Sequence, residues 1–257
     1  MIMKKFAITA SLVLAAGLML TSCLKDDDFR GNYFYPNAVV TAKTSEGGIF
    51  YLQLDDETTL KPTNLVKSPY GKEVRAFVNY SDQGAWTGPQ EEGLKLDREV
   101  FLNAIDSIRT KDVVPTLGTE EDADEYGSAP IEIITNSWYT VLEDDYLTLT
   151  FTARWNNPYI YHEINLVYGT DPDDPYVVEL RHNPLDDTAY MSGLASTGVI
   201  AFRLTDLPEI GARPDHLTIK YISHDGEKSY TIERKKAGGE ENGTKSSEKV
   251  STELPLR

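Results

Sequence analysis

The residues able to do chemistry are few and scattered. Four histidines occur, His162, His182, His216 and His224, and none forms an H-E-x-x-H or similar close metal pair. His162 and His216 lie inside strand-like patterns, where a histidine belongs to a core or a sheet face. No G-x-S-x-G turn offers an activated serine, and no glycine-rich phosphate loop is present. The S-x-x-K matches at Ser246–Lys249 and Ser22–Lys25 fall in a polar tail and beside a processing site, where nothing can hold a nucleophile. A glycosidase needs two carboxylates about 5–9 Å apart on a rigid scaffold, whereas most acids here sit in turns. The acidic stretches Asp122–Gly127 and Asp171–Asp174 lack the distal Glu of an EF-hand loop and read as solvated loops. The expectation is a non-enzymatic chain with no cofactor and no metal site. Arg181-His182-Asn183 followed by Asp186-Asp187 reads as a strand end with turn chemistry. Trp86 is the tryptophan outside a strand pattern. With Asp82 and Gln83 in the same polar segment, it could stack on a sugar ring while the two polar groups bind the rim, making these three residues the candidate ligand site.

The elements that must carry these residues follow from composition and pattern. The chain has 257 residues, enough for one or two domains, with ordinary hydrophobic content (40%) and a formal net charge of −16. So acidic a chain repels phosphate backbones, and no nucleic-acid partner is expected. One cysteine, Cys23, excludes an intrachain disulfide.

The N-terminus reads as an address. Lys4 and Lys5 precede Phe6–Leu20, an uncharged apolar run shorter than the roughly 20 residues of a spanning helix. Leu20-Thr21-Ser22-Cys23 follows and resembles a lipobox. The resemblance implies a signal peptide over residues 1–22, cleavage before Cys23, and acyl chains on that cysteine as the membrane anchor. Lys25, Asp26, Asp27 and Asp28 resemble the lipoprotein export signal of Bacteroidetes, which implies an outer-membrane lipoprotein facing outside, with the periplasmic face as the alternative.

From there on, short period-2 runs rich in Val, Ile, Tyr, Thr and Phe alternate with Gly, Pro, Asn and Asp clusters, which predicts an all-β chain. After a tether over 23–36, five short strands over 37–112 suit a small partly open barrel of OB type. In Lys72–Tyr80, Val74, Ala76 and Val78 face one way and Arg75, Phe77 and Asn79 the other. Residues 113–130, rich in acids with Pro and Gly, read as an acidic linker and the domain boundary. Strands over 131–234 suit an antiparallel β-sandwich. In Tyr146–Phe151 a polar face (Tyr146, Thr148, Thr150) alternates with an apolar one (Leu147, Leu149, Phe151), and Asp225-Gly226 marks a hairpin. Residues 235–257 read as a disordered tail. Val250, Thr252, Leu254 and Leu256 alternate there, but Pro255 argues against their insertion into a sheet.

The order of these features, carried by Asp145–Thr152, His162–Val167, Val178–Asn183, Gly198–Leu204 and Leu217–Tyr221, resembles the NigD-like lipoproteins of Bacteroidetes. The resemblance implies an N-terminal OB domain and a C-terminal β-sandwich, and no biochemical activity. The expected function is a lipid-anchored, non-catalytic module binding a glycan or a protein partner. A bacteriocin-associated immunity or accessory protein, and a fimbrillin-like structural subunit, are the alternatives.

Overall fold

A computed structural model describes residues 35–208, 210–235 and 254–256. Among these residues no helix is long and apolar enough to cross a membrane. Cys23 and Lys25–Asp28 lie outside the described residues.

The first five strands are β1 (Ala38–Thr44), β2 (Phe50–Gln53), β3 (Thr59–Pro62), β4 (Val74–Ala85) and β5 (Arg98–Ser107). They close into a barrel in the order β1-β2-β3-β5-β4, with β3 and β5 parallel and the other pairs antiparallel. The β1–β2 turn closes at Gly48, whose φ of 86° suits glycine. Val40, Phe50, Leu52, Leu60, Val78 and Val100 fill the interior. The alternation read in β4 holds: Val74, Ala76 and Val78 point into this core, while Arg75 and Phe77 point out of it.

The stretch predicted to be an acidic linker is instead part of the second domain. Directly after β5 the chain forms β6 (Arg109–Asp112), which pairs in parallel with β13, and then β7 (Val114–Pro115), which pairs in parallel with β11. The intervening Val113 is buried in the sandwich core. A helix α1 (Thr119–Tyr126) follows. Its buried Asp122 accepts hydrogen bonds from the Thr116 hydroxyl (2.5 Å) and the Leu117 N–H (2.7 Å), so this acid is an internal brace. The acids hide a fold signal because each edge strand is too short to show a period.

The remaining strands are β8 (Glu132–Ile133), β9 (Val141–Glu143), β10 (Tyr146–Trp155), β11 (Glu163–Tyr168), β12 (Val177–Asn183), β13 (Leu194–Arg203), β14 (His216–Ser223) and β15 (Gly226–Glu233). One sheet runs β6-β13-β10-β8, with β9 also on β10, and the other runs β15-β14-β12-β11-β7. Leu147, Leu149, Phe151, Leu166, Ile200 and Leu217 are among the buried residues between them. The β14–β15 hairpin is present, but its two turn residues are His224 and Asp225, one position before the expected pair, and Gly226 pairs with Ser223 at the start of β15. β8 and β9 are separate short strands because the chain after Ile134, whose N–H still reaches the Thr150 carbonyl, turns away from the sheet up to Thr140.

The barrel packs on the outer face of the β13/β10 sheet. Val39, Phe77, Ile108, Tyr139, Val199 and Ala201 form a shared apolar cluster, with Phe77 edge-on to Tyr139 at 4.9 Å. The polar face read in Tyr146–Thr150 is therefore buried too. Arg75, at 0% exposure, donates to Glu143 Oε1 (2.7 Å), Thr41 Oγ1 (3.0 Å) and Thr148 Oγ1 (3.3 Å). Around it Lys43 pairs with Asp144 (2.8 Å), and Arg234 pairs with Asp56 (3.0 Å).

The end of the chain also departs from expectation. Leu254–Leu256, assigned to a disordered tail, return to the sandwich. Leu256 is buried in its core and the Pro255 carbonyl accepts the His162 N–H.

Candidate functional site

Two loops meet where β10 and β13 pair at Trp155 and Leu194: residues 156–162 between β10 and β11, and residues 184–193 between β12 and β13. A buried polar chain fixes both. Asp187 Oδ2 accepts the backbone N–H groups of Asn156 (2.8 Å) and Asn157 (3.2 Å) and lies 3.3 Å from His162 Nε2. His162 Nδ1 is 2.8 Å from His182 Nε2, and His182 Nδ1 is 3.1 Å from the Pro130 carbonyl. Trp155 stacks on His162 with ring centroids 4.4 Å apart, and Tyr190 stands edge-on to both imidazoles. Gly193 completes the staple, because a Cβ there would lie 1.9 Å from the Trp155 carbonyl oxygen.

The carbonyl at one end assigns the tautomers. His182 gives its Nδ1–H to Pro130, so its Nε2 accepts from His162 Nδ1–H, and His162 Nε2 donates to the Asp187 carboxylate only in the imidazolium form. Burial pulls His162 below the ordinary histidine range against the opposing pull of Asp187. Burial takes His182 down to about 4, with its Pro130 hydrogen bond opposing and His162 and His224 adding repulsion. For Asp187, burial pushes upward but the hydrogen bonds from Asn156, Asn157 and His162 prevail, leaving the carboxyl below its ordinary value.

A pH dependence follows. Between the ordinary value of 6.5 and about 4 the unfolded chain binds a proton at His182 that the folded chain refuses. The unfolded state then holds more protons, so stability rises with pH across this window and falls on acidification. Urea titrations from pH 7 to pH 5 should lose at most about 1.4 kcal/mol per pH unit for this group. His182→Asn should flatten that slope while lowering stability at pH 7. An unchanged slope would show that His182 titrates normally.

What the staple presents is apolar. Tyr159 is 86% exposed, Leu194 81%, Met191 51% and Tyr161 48%; of the eight large hydrophobics exposed among the described residues, three lie in these two loops and a fourth, Leu194, opens β13 directly after them. Surfaces of this kind mark contact sites rather than solvent-facing loops.

The residues read as a glycan site lie on the barrel and are engaged locally. The Trp86 indole folds over Gly88, where a Cβ would be 2.3 Å from it, and its Nε1–H donates to Pro89 O (3.2 Å). Asp82 pairs with Arg98 and accepts the Gly84 N–H, while Gln83 accepts the Thr63 hydroxyl at 2.8 Å. They sit within one strand end and its loop, yet each is bound to a different neighbour.

A polar cleft of about 490 Å³ also opens between the end of α1 and the outer face of β12, β14 and β15. Its cations are already matched: Arg181 to Glu179 (2.6 Å), Lys220 to Asp171 (3.2 Å) and Lys228 to Glu132 (3.1 Å). Among the described residues no group of three or more His, Cys, Asp or Glu is placed to hold a metal. The sequence reading missed the His162–His182 pair, whose signal lay in the pairing of β11 with β12, not in residue spacing.

Comparison with known proteins agrees with this architecture. A family model described as the NigD-like N-terminal OB domain matches residues 39–108, and one described as the NigD-like C-terminal beta sandwich domain matches 112–234. Among solved structures, a protein from Parabacteroides distasonis described as toxin-related is 29% identical, covering 76% of this chain and 90% of its own, with a TM-score of 0.57. A protein of unknown function from Bacteroides vulgatus is 20% identical over 86% of this chain and 98% of its own, with a TM-score of 0.61. One from Bacteroides fragilis described as a lipoprotein is 18% identical over 78% of this chain and 98% of its own, with a TM-score of 0.55. No curated protein matches the sequence.

Proposed function

The chain belongs to the NigD-like family, and from that premise we propose that it is a lipid-anchored, non-catalytic recognition protein whose ligand is another protein, bound at Tyr159, Tyr161, Met191 and Leu194. The observation that carries this reading is the exposure of those four side chains, three on the two stapled loops and Leu194 at the strand start that follows them. Tyrosine and methionine are enriched where proteins meet, and rigid loops lose little entropy on binding. A glycan at Trp86, Asp82 and Gln83 has less support, since each of these groups is already bound to a partner of its own. The toxin-related description of the Parabacteroides distasonis protein favours one special case, in which the partner is a toxin or its receptor.

Two measurements test the reading. Tyr159→Ser/Leu194→Ser removes exposed apolar surface only, so its melting temperature should stay within a few degrees of the parent while a protein co-purifying from solubilised native membranes is lost. Retention of the same partner by the double variant would contradict the site. The anchor rests on Leu20–Cys23, and the description of the Bacteroides fragilis protein as a lipoprotein supports it. Cys23→Ala should move the protein wholly from the membrane pellet to the soluble fraction. Alanine at Lys25, Asp26, Asp27 and Asp28 should keep it membrane-bound but shield it from protease added to intact cells. Unaltered cleavage would leave outward export without support.

A further inference from the structure

The last described residues occupy a groove rather than extend a sheet. Leu254–Leu256 belong to none of the fifteen strands. Among the described residues they are held by a backbone hydrogen bond, His162 N–H to Pro255 O at 2.9 Å, which belongs to a parallel bridge of Leu256 to His162. The side chains do the rest. Leu256 is 7% exposed within the sandwich core, and Leu254 packs on the same core. Leu254 Cδ1 lies over Gly198, where a Cβ would stand 2.5 Å from it and 2.9 Å from the Phe151 ring. Gly198 thus leaves the floor of the groove open, a reason for a glycine in the middle of a buried strand.

We infer that this groove is a binding site for an extended segment carrying Leu-x-Leu, and that Leu254–Leu256 of a second copy fills it as its own chain's segment does, linking copies tail to groove. The segment shown to fit is present on every copy. The segment joins the sheets only at the His162 bridge beside β11, so its exchange disturbs no pairing between the fifteen strands. The connection is long enough. Lys235 is fixed to Leu142, which pairs with Leu147 near the start of β10, while the groove lies beside Trp155 at its end. That distance is about 26 Å along the strand, and residues 236–253 span roughly 60 Å when extended. Exchange of an identical terminal element is a low-cost route to association. In dilute solution the tethered tail, at an effective concentration of order millimolar, keeps each copy closed.

The test uses two full-length, complementary variants, both made with Cys23→Ala so that no lipid is attached. Gly198→Leu blocks the groove and frees the tail. Leu254→Asp/Leu256→Asp disables the tail and leaves the groove open. Each alone should run as a monomer in light scattering, and an equimolar mixture should form a 1:1 dimer. A fluorescent peptide of residues 250–257 should bind the double-Asp variant about ten-fold more tightly than the parent, whose own tail competes, and should not bind Gly198→Leu. If Gly198→Leu fails to fold, the peptide comparison decides. Equal peptide affinity for the double-Asp variant and the parent would overturn the site. Peptide binding without a mixed dimer between folded variants would overturn the second copy as its occupant.

Discussion

Replacing Arg75 by methionine should lower stability by about 3–5 kcal/mol, the usual cost of removing one partner of a buried ion pair. Arg75 is fully buried and spends three donors on Glu143, Thr41 and Thr148, residues from both sides of the junction. The substitution leaves Glu143 facing a junction where its nearest remaining cation is Lys235, 3.4 Å from Oε2. Arg75→Met/Glu143→Met removes both charges and should recover most of the loss, because an apolar replacement of a buried pair costs little. Urea unfolding of the parent and both variants measures this. A loss below about 1 kcal/mol for Arg75→Met would mean that the apolar cluster around Phe77 and Tyr139 holds the junction unaided.

Asp187→Ala should have the second large effect, about 3 kcal/mol. It takes the acceptor from the backbone N–H groups of the exposed Asn156 and the half-buried Asn157, and it removes the buried carboxylate beside His162. The damage should be local as well as global. Amide exchange at residues 156–162 and 184–193 should rise at least ten-fold while the β14–β15 hairpin stays protected. Asp187→Asn keeps an oxygen for the two N–H groups and should recover a large part of both losses. Uniform exchange across the sandwich in Asp187→Ala would show that the carboxylate supports the fold generally and not these loops.

The pattern-bearing parts of this fold were legible. The inward-outward alternation of β4 and β10 assigned Val74, Ala76 and Val78 to one core and Leu147, Leu149 and Phe151 to the other. Alternation does not say what covers the polar face. Arg75 on the barrel and Thr148 and Tyr146 on the sandwich look solvent-facing until the two are seen packed together. The stretch 113–130 misled for a related reason. Composition reports acidity, but Asp122 is consumed internally and β7 is two residues long, below any detectable period. His162 and His182 became neighbours through the register that sets Ile164 opposite His182, which no local spacing encodes. At Trp86 the loop was legible, whereas its stacking on Gly88 was not. In the tail, Pro255 argued against a strand. The backbone there does not form one, yet it buries Leu256.

Photo-crosslinking from single positions on intact cells decides whether the stapled loops are the recognition surface. A photoreactive phenylalanine is placed in turn at Tyr159, Leu194, Trp86 and Phe101, the last an exposed aromatic on the barrel. Positions 159 and 194 should capture the same protein, and positions 86 and 101 should capture none. Capture from position 86 with none from 159 or 194 would place recognition on the barrel and contradict the account.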